Sequence, residues 1–502
     1  MDIIVIWWCF WHLSGYITDY MQKKEDLFSN RWAFILAALG MAIGAGNLWR
    51  FPRLAGQYGG SFLIPWMLFL FIWSIPLIIV EFSIGKKFRL GVIGAFKEGI
   101  GSRYAWMGWF VALCTIGIMF YYSVVSGWSL KYFSISISKG FDRLDPASFW
   151  STYTTGNWEP VIFSVIALLL GSGIVYGGVR NGIERASKIL IPSLFLLLIV
   201  AAIKALTLPN ANHGLWYFLR VDPEDLLNYK VWLEALSQSA WSTGAGWGLI
   251  LTYGTYVRDE ENVISNSIFT GLGNNLASLI IGLAVIPTVF SMSPDVEQAY
   301  NALRSGNQGL TFIYMPQLFA KMPGGSIFTI VFFLALFVAS ISSLISMIEL
   351  AVRILSDYGF GRRIGILLVI GASVIAGFPS AFSLGFFNNQ DWVWGVGLLL
   401  SGFFFLFFVH KYGVLKFKSE VLRYKGNSII FADGFLRFIF TFMLAEFLTM
   451  FIWWFFQSVA WYPDNWWYPF KEFSIGTCLL QWSVIIISGI IFNNRIAQIR
   501  RN

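Results

Sequence analysis

After residue 30 the chain divides into twelve apolar stretches. They run over 34–55, 60–84, 104–133, 160–178, 186–206, 234–256, 264–291, 326–357, 363–380, 391–411, 429–457 and 475–496. A helix needs about 20 apolar residues to cross a bilayer. Only 12% of the residues are charged, where a soluble domain carries roughly 25%. The chain therefore reads as an all-α polytopic membrane protein with 12 transmembrane helices. Its 24 Trp and 20 Tyr suit the two interfacial belts.

Two of these stretches make poor helices. The first carries Gly40-Met41-Ala42-Ile43-Gly44-Ala45-Gly46-Asn47-Leu48-Trp49-Arg50-Phe51-Pro52. Its glycines lower helix propensity. Asn47 and Arg50 bring polar groups to bilayer depth, which is expensive unless they bind something. The Gly40-x-x-x-Gly44 spacing also fits helix packing, but packing requires neither Asn47 nor Arg50. The sixth stretch reads Gln238-Ser239-Ala240-Trp241-Ser242-Thr243-Gly244-Ala245-Gly246-Trp247-Gly248 and is interrupted in the same way. Paired breaks in two halves of a chain mark an inverted repeat with a site at mid-depth. Their bare carbonyl and N–H groups are tolerated only where they line a cavity or hold a ligand.

Other polar residues fall inside apolar runs. Glu81 lies near the end of the second span and Tyr122 lies in the third. Asn274, Asn275 and Ser278 lie in the seventh, and Ser340, Ser342 and Ser343 in the eighth. Glu349 and Arg353 are spaced for an i,i+4 ion pair. Asp391 opens the tenth span, and Glu446 in the eleventh has no evident partner. The last two helices read as peripheral.

The net charge of +8 sorts by topology, which leaves no case for a nucleic-acid partner. Lys86, Lys87, Arg89, Arg180, Arg185, Arg258, Arg353, Arg362, Lys411, Arg423, Arg500 and Arg501 gather on alternate connections and at the end. The opposite connections hold fewer, among them Lys139, Arg143, Arg220, Arg304 and Lys321. The positive-inside rule then places both termini in the cytoplasm of a cell-membrane protein. Of the three cysteines, Cys9, Cys114 and Cys478, the last two sit in apolar segments, and neither a disulfide nor a metal site is expected. Ile3 to Leu13 is too short to span. Met21 opens an ordinary polar start, so residues 1–20 read as an extension upstream of the natural start, with an interfacial anchor as the alternative.

A membrane enzyme is a poor fit. His12, His213 and His410 stand beside no acidic cluster, and neither His-Glu-x-x-His nor Cys-x-x-Cys occurs. A transporter, or a non-transporting sensor or channel-like protein with the same ligand site, remains.

The first-span motif strongly resembles the neurotransmitter:sodium symporter family, whose bacterial amino-acid members include the leucine transporter. The resemblance covers residues 23–500 and is strongest in spans one, three, six and eight. It implies a 5+5 inverted repeat, residues 21–206 and 207–411, with discontinuous helices 1 and 6. Residues 412–502 would then form two accessory helices. It also implies sodium-coupled import of a neutral amino acid by alternating access, as a monomer or homodimer. The first of two Na⁺ sites would use the Ala42 carbonyl, Asn47, Asn274 and Ser242. The second would use the carbonyls of Gly40, Ile43 and Ala339 with the hydroxyls of Ser342 and Ser343. These are neutral oxygens, which hard cations accept.

The substrate carboxylate would meet the N–H groups of Ala45 and Gly46 and the Tyr122 hydroxyl, since a half-helix start favours anions. Ala42 and Ser242 adjoin this site. Ile118, Trp241, Gly244, Trp247 and Met347 would line the side-chain pocket. It is apolar and favours a hydrophobic or aromatic side chain. Family members that carry monoamines have Asp where Gly44 stands, so Gly44 fits a substrate with its own carboxylate. Gly244 replaces a common Ser and adds room, while Trp241 and Trp247 replace Phe and remove it. Ser278 stands where chloride-independent relatives hold an acid, which implies Cl⁻ at Ser242, Ser278, Gln238 and the indole N–H of Trp66. The outer gate would be Arg50 with Asp391, directly or through water, with Tyr122 and Trp247 below it. The inner gate would be Tyr256 with Asp357. Glu25 and Phe28 hold the positions of the family's Arg and Trp partners, and Lys23 or Lys24 would substitute.

Overall fold

The computed structural model describes residues 27–138, 140–141, 144–426 and 431–499. The expectations for residues 1–20, Cys9, Lys23, Lys24, Glu25, Lys139, Arg143, Arg500 and Arg501 lie outside them. Extended pairing among the described residues is limited to an isolated bridge between Thr155 and Ser383.

Helix α1 spans Arg31–Ala42. Asn30 caps it by accepting the Ala33 N–H at 3.0 Å. Helical geometry lapses at Ile43 and Gly44. It resumes in a π-helical turn over Gly46–Arg50 that feeds α2, Phe51–Tyr58, with Pro52 in its first turn. The chain then turns at Gly59–Phe62 and continues through α3, Leu63–Phe69, a π-helical turn over Leu70–Ser74, and α4, Ile75–Phe88. Gly60 permits that turn. A Cβ there would stand 2.6 Å from the Leu219 carbonyl.

Three long helices follow: α5, Ala105–Ser138; α6, Glu159–Tyr176; and α7, Arg185–Leu206. The second break separates α8, Tyr229–Ser242, from α9, Leu249–Gly254. Between them Gly244, Gly246 and Gly248 have φ of 71°, 88° and 76°, a region glycine enters without steric cost. The remaining long helices are α10, Val263–Met292; α11, Gly325–Asp357; α12, Arg362–Phe382; α13, Leu384–Tyr412; α14, Asp433–Trp461; and α15, Ile475–Ile491.

Nine helical runs among the described residues are long and apolar enough to cross a membrane. The differences from the expected twelve have physical causes. Both broken spans are divided by their glycines, and α2 runs on through α3 and α4 as one 43-residue run, Gly46–Phe88. Helix α15 has only 17 residues. Asp391 does not open its span. Helix α13 begins at Leu384, capped by Ser383, which sets Asp391 about two turns in.

Helix α5 runs through the middle of the bundle, packed on α11, α6 and α13. Helix α15 is less peripheral than expected, since it packs on α5, and Trp482 donates to the Val393 carbonyl at 3.1 Å. The short α9 lies against α4 so closely that a Cβ on Gly85 would fall 2.0 Å from the Leu251 carbonyl oxygen. Overpacking of this kind costs about 1–3 kcal/mol. Gly85→Ala is therefore expected to lower the melting temperature of the purified protein, read by loss of the monodisperse peak after heating.

Candidate functional site

The break between α8 and α9 leaves backbone donors that lipid cannot satisfy. Glu81, fully buried on α4, supplies the acceptor. Its carboxylate takes the N–H of Gly246 and, at 2.7 Å, that of Gly248. Thr115 on α5 donates to the Trp247 carbonyl at 2.6 Å. Three points thus pin the turn from two neighbouring helices. The sequence located Glu81 without giving it this task. The available signal was a carboxylate in an apolar span of a chain that also carries a glycine-rich break.

The expected first ion set converges. Asn47 and Asn274 are both fully buried. Asn47 Nδ2 donates to Asn274 Oδ1 and to Ser278 Oγ, each at 2.8 Å, and Asn47 Oδ1 accepts the Gly44 N–H at 3.1 Å. Asn274 Nδ2 reaches Ser242 Oγ at 3.2 Å. Ala42, Asn47 and Ser242 line one small cavity. Of the second set, Ser343 and Gly40 are brought together, and Ser342 bonds back to Ala339 on its own helix. Ser343 Oγ donates to the carbonyls of Gly40 and Met41 at 3.3 and 3.2 Å, and Ser342 Oγ bonds the Ala339 carbonyl at 2.9 Å. Ile43 caps α1 through its N–H to Leu39. No group of three or more His, Cys, Asp or Glu suited to a metal occurs among the described residues. The available donor set is amide, hydroxyl and carbonyl oxygen, as sodium accepts.

The cavity between the breaks holds about 20 Å³. Tyr122 OH, at its edge, accepts the Ala45 N–H at 2.9 Å, so two expected carboxylate anchors are already paired. Gly44 leaves no spare room. A Cβ there would sit 2.7 Å from both Tyr122 OH and Ser343 Oγ. Trp241 and Trp247 meet edge to face, with centroids 5.3 Å apart at 86°. Gly244 does not enlarge the pocket as expected, because the Met41 methyl occupies that side. A Cβ at 244 would stand 3.2 Å from it. Met347 completes the lining. Met41 and Leu249, which sequence reasoning missed, join it, whereas Ile118 and Ala45 are buried nearby without lining it.

Trp241 also borders a larger cavity of about 410 Å³ that contains Arg50, Glu234, Ser237 and Asp391. The expected Arg50–Asp391 contact is not made directly. Arg50 instead donates to Ser237 at 2.7 Å and faces Glu234 at 3.9 Å, with its guanidinium 5.9 Å from the Trp241 ring centroid. Ser237 and Glu234 on α8 reach Arg50 directly, while Asp391 on α13 lines the same cavity.

The opposite end differs from expectation too. Glu349 pairs with Arg362 at 2.5 Å and accepts from Tyr256 OH at 2.6 Å, not with Arg353. Arg353 pairs with Asp357 at 3.0 Å and lies 5.6 Å from the Tyr256 ring centroid. Tyr256 and Asp357 are thus linked through Arg353. Asp357 also accepts the Gly91 N–H at 2.7 Å. Phe28 donates its N–H to the Tyr256 carbonyl at 2.9 Å, and Ser29 bonds the Glu184 carboxylate through both N–H and hydroxyl.

The expected chloride residues divide. Gln238 Nε2 meets the Gly46 carbonyl at 3.4 Å, and Ser278 Oγ donates to the Asn274 carbonyl at 3.3 Å. Trp66 packs on Phe51, centroids 4.6 Å apart, and its N–H is buried without a partner among the described residues. Glu446 is likewise buried with both oxygens unpaired among the described residues.

Two interrupted helices meeting around buried amide and hydroxyl oxygens define a membrane transporter built on discontinuous helices. Comparison agrees. A family model described as the sodium:neurotransmitter symporter family matches residues 25–160 and 151–498. An uncharacterized sodium-dependent transporter of Methanocaldococcus jannaschii is 33% identical, over 71% of this chain and 75% of its own. A second such transporter, from Bacillus subtilis, is 30% identical over 73% and 81%. The crystal structure of MhsT in complex with L-phenylalanine superposes with a TM-score of 0.76 at 26% identity, covering 85% of this chain and 99% of that one. The chain belongs to the sodium:neurotransmitter symporter family and has the leucine-transporter fold.

The Glu81 clamp gives a direct prediction. An amide at this position accepts through one oxygen, and a buried N–H left unmade costs about 1–3 kcal/mol. Glu81→Gln is expected to lower thermal stability by that order and Glu81→Ala by more, measured as melting temperature in matched detergent.

Proposed function

We propose that the protein imports a neutral α-amino acid with Na⁺ by alternating access. Ala42, Asn47, Ser242 and Asn274 hold the first ion. Gly40, Ile43, Ala339, Ser342 and Ser343 hold the second. The observation that carries the reading is the meeting of Asn47, Asn274 and Ser242 at the cavity between both breaks. Residues 21–206 and 207–411 form the two repeats, with 412–502 accessory. Both termini are cytoplasmic, so the Arg50–Asp391 cavity faces out and the Tyr256–Asp357 end faces in.

The substrate carboxylate takes the N–H groups of Ala45 and Gly46, displacing the Ala45–Tyr122 bond and freeing Tyr122 OH to donate. The walls around Met41, Trp241, Trp247 and Met347 suit a largely apolar side chain. Methionine is the side chain best able to move aside for one. Arg50 exchanges Glu234 for Asp391 as the outer cavity closes over Trp241.

Chloride completes the ion balance. An anion about 5 Å from sodium at an effective dielectric of ~20 is worth roughly 3 kcal/mol. Ser278 offers a hydroxyl where an acid would supply that charge. Trp66 brings an unpaired indole N–H, with Gln238 and Ser242 beside the first ion.

A tenfold sodium gradient supplies about 1.4 kcal/mol per ion. A potential of about 100 mV adds roughly 2.3 kcal/mol per charge. Two ions give about 7 kcal/mol, enough to concentrate a zwitterion roughly 10⁵-fold.

The test is uptake of labelled amino acids into proteoliposomes under an imposed sodium gradient. Accumulation above the external level is expected. Sodium-dependent binding without accumulation would instead indicate a sensor. Asn47→Ala is expected to abolish sodium-dependent binding, and uptake persisting in it would count heavily against the scheme. Replacing chloride with gluconate is expected to reduce uptake at least about tenfold, given the size of the missing charge interaction. Unchanged uptake refutes the chloride part alone.

A further inference from the structure

The cavity between the breaks holds about 20 Å³, room for about one water molecule. An amino-acid side chain of any size enters only if a wall gives way. Three glycines line this cavity, Gly44, Gly46 and Gly244. What a Cβ would meet at each of them shows which wall that is. At Gly44 it meets Tyr122 OH and Ser343 Oγ at 2.7 Å. Both oxygens are engaged, Tyr122 with the Ala45 N–H and Ser343 with the carbonyls of Gly40 and Met41. At Gly46 it meets the Trp241 ring at 3.7 Å. That ring is backed on its other side, since a Cβ on Gly395 would stand 3.2 Å from Trp241 Nε1. At Gly244 it meets Met41 alone, Cε at 3.2 Å and Sδ at 4.0 Å. Apart from the chain neighbours of Gly244, nothing else among the described residues stands within 4 Å of that point.

One flexible side chain therefore closes the space over Gly244. The φ of 71° there keeps that space free of a side chain of its own. Met41 reaches it from the last turn of α1. A thioether on an unbranched, freely rotating stem adapts to its surroundings more readily than any other large apolar side chain. The backbone of Met41 need not follow, because its carbonyl accepts from Ser343 Oγ at 3.2 Å. The side chain can turn away while the end of α1 and the ion ligands beside it stay in place.

We propose that the substrate's side chain enters over Gly244 by displacing Met41, which makes Met41 the residue that sets how large a side chain the site takes. The proposal rests on the amino-acid reading above and narrows it to the larger apolar amino acids. A methyl group leaves Met41 where it is and gains little contact. A leucine or aromatic side chain fills the space Met41 vacates and packs against Trp241, Trp247 and Met347, which line the same cavity. Each methylene so accommodated in an apolar pocket is worth about tenfold or more in discrimination.

The experiment measures dissociation constants for alanine, leucine, phenylalanine and tryptophan by calorimetry on the purified full chain, with and without Na⁺. A ligand too weak to titrate is entered at its detection limit. Wild type is expected to bind at least one of the larger three more tightly than alanine. The readout in the variants is the affinity for the largest ligand that binds wild type, relative to alanine. Met41→Ala leaves the space over Gly244 open and is expected to raise that ratio about tenfold or more. Met41→Phe sets a stiff ring in it and is expected to lower the ratio by a similar factor. A merely structural role for Met41 would not move size selectivity in opposite directions. Should one variant fail to fold, the other decides by its own sign. The proposal is overturned if wild type binds alanine most tightly of the four, or if a variant moves the ratio by less than about threefold or in the wrong direction. Loss of all sodium-dependent binding in a folded Met41→Ala overturns it too. In those cases the amino-acid reading stands. If none of the four binds wild type in a sodium-dependent way, that reading itself falls, and this proposal with it.

Discussion

A hydrocarbon environment gives an unpaired peptide group nothing to bond to. The rest of this structure depends on how the chain meets that constraint at two places where its helices stop. At Ile43–Gly44 the gap is short, and the Gly44 N–H is taken by the side chain of Asn47, three residues on. Between α8 and α9 it is longer, and the chain uses a carboxylate from another helix. Glu81 is an acidic side chain buried at bilayer depth, and two N–H groups satisfy its oxygens there. Glycines at positive φ aim those N–H groups at one side chain. The break is a rigid feature with its own scaffold.

That rigidity organises the two cavities. Trp241 lies at the end of α8, lining the large cavity on one side and the small one on the other. Its neighbour Trp247 is fixed by the clamp. The two rings meet edge to face, an arrangement favoured by their quadrupoles. Of the two, Trp241 alone borders both cavities, whereas the backbone of Trp247 is held by Thr115. At the far end the charges are shared out differently. Glu349, fully buried, is matched by Arg362 and a tyrosine hydroxyl, and Asp357 by Arg353 and a backbone N–H. Each of these two carboxylates has more than one partner, which offsets the cost of desolvation. The end at Arg50 is looser, with a guanidinium spread over a serine, a glutamate at 3.9 Å and an indole face.

Both breaks were legible because glycine and polar residues are rare enough in apolar spans to stand out. Asn47, Asn274 and Ser242 could be grouped before any coordinates, since a family resemblance aligned them and the fold brought them to hydrogen-bonding distance. What the sequence could not supply was choice between partners at similar spacing. Glu349 and Arg353 are four residues apart on one helix, yet Arg362, on the next helix, wins Glu349, and Asp357 wins Arg353. Helix spacing permits an i,i+4 pair but does not rank it against a tertiary one. Pocket volume was equally hidden. Gly244 reads as added space, but Met41, on the other broken span, fills it. Only three-dimensional packing decides which side chain enters a gap.

The same packing argument bears on Gly44. An acidic side chain there would supply a fixed negative charge to the ion site, as in relatives that carry amines without a carboxylate. In this chain even a Cβ at 44 meets two oxygens at 2.7 Å, those of Tyr122 and Ser343. Tyr122 is bonded to Ala45, and Ser343 to the carbonyls that end α1, so neither withdraws without breaking the arrangement at the first break. A resident carboxylate is thus excluded by geometry as well as absent by identity. Under the proposed function the negative charge beside the first sodium has to arrive with the substrate. Ion and substrate then bind as a mutually dependent pair. Each raises the other's affinity by the same factor, and neither fills the site well alone. A symporter needs that dependence, because a site that held sodium tightly without cargo would let the gradient run down unused.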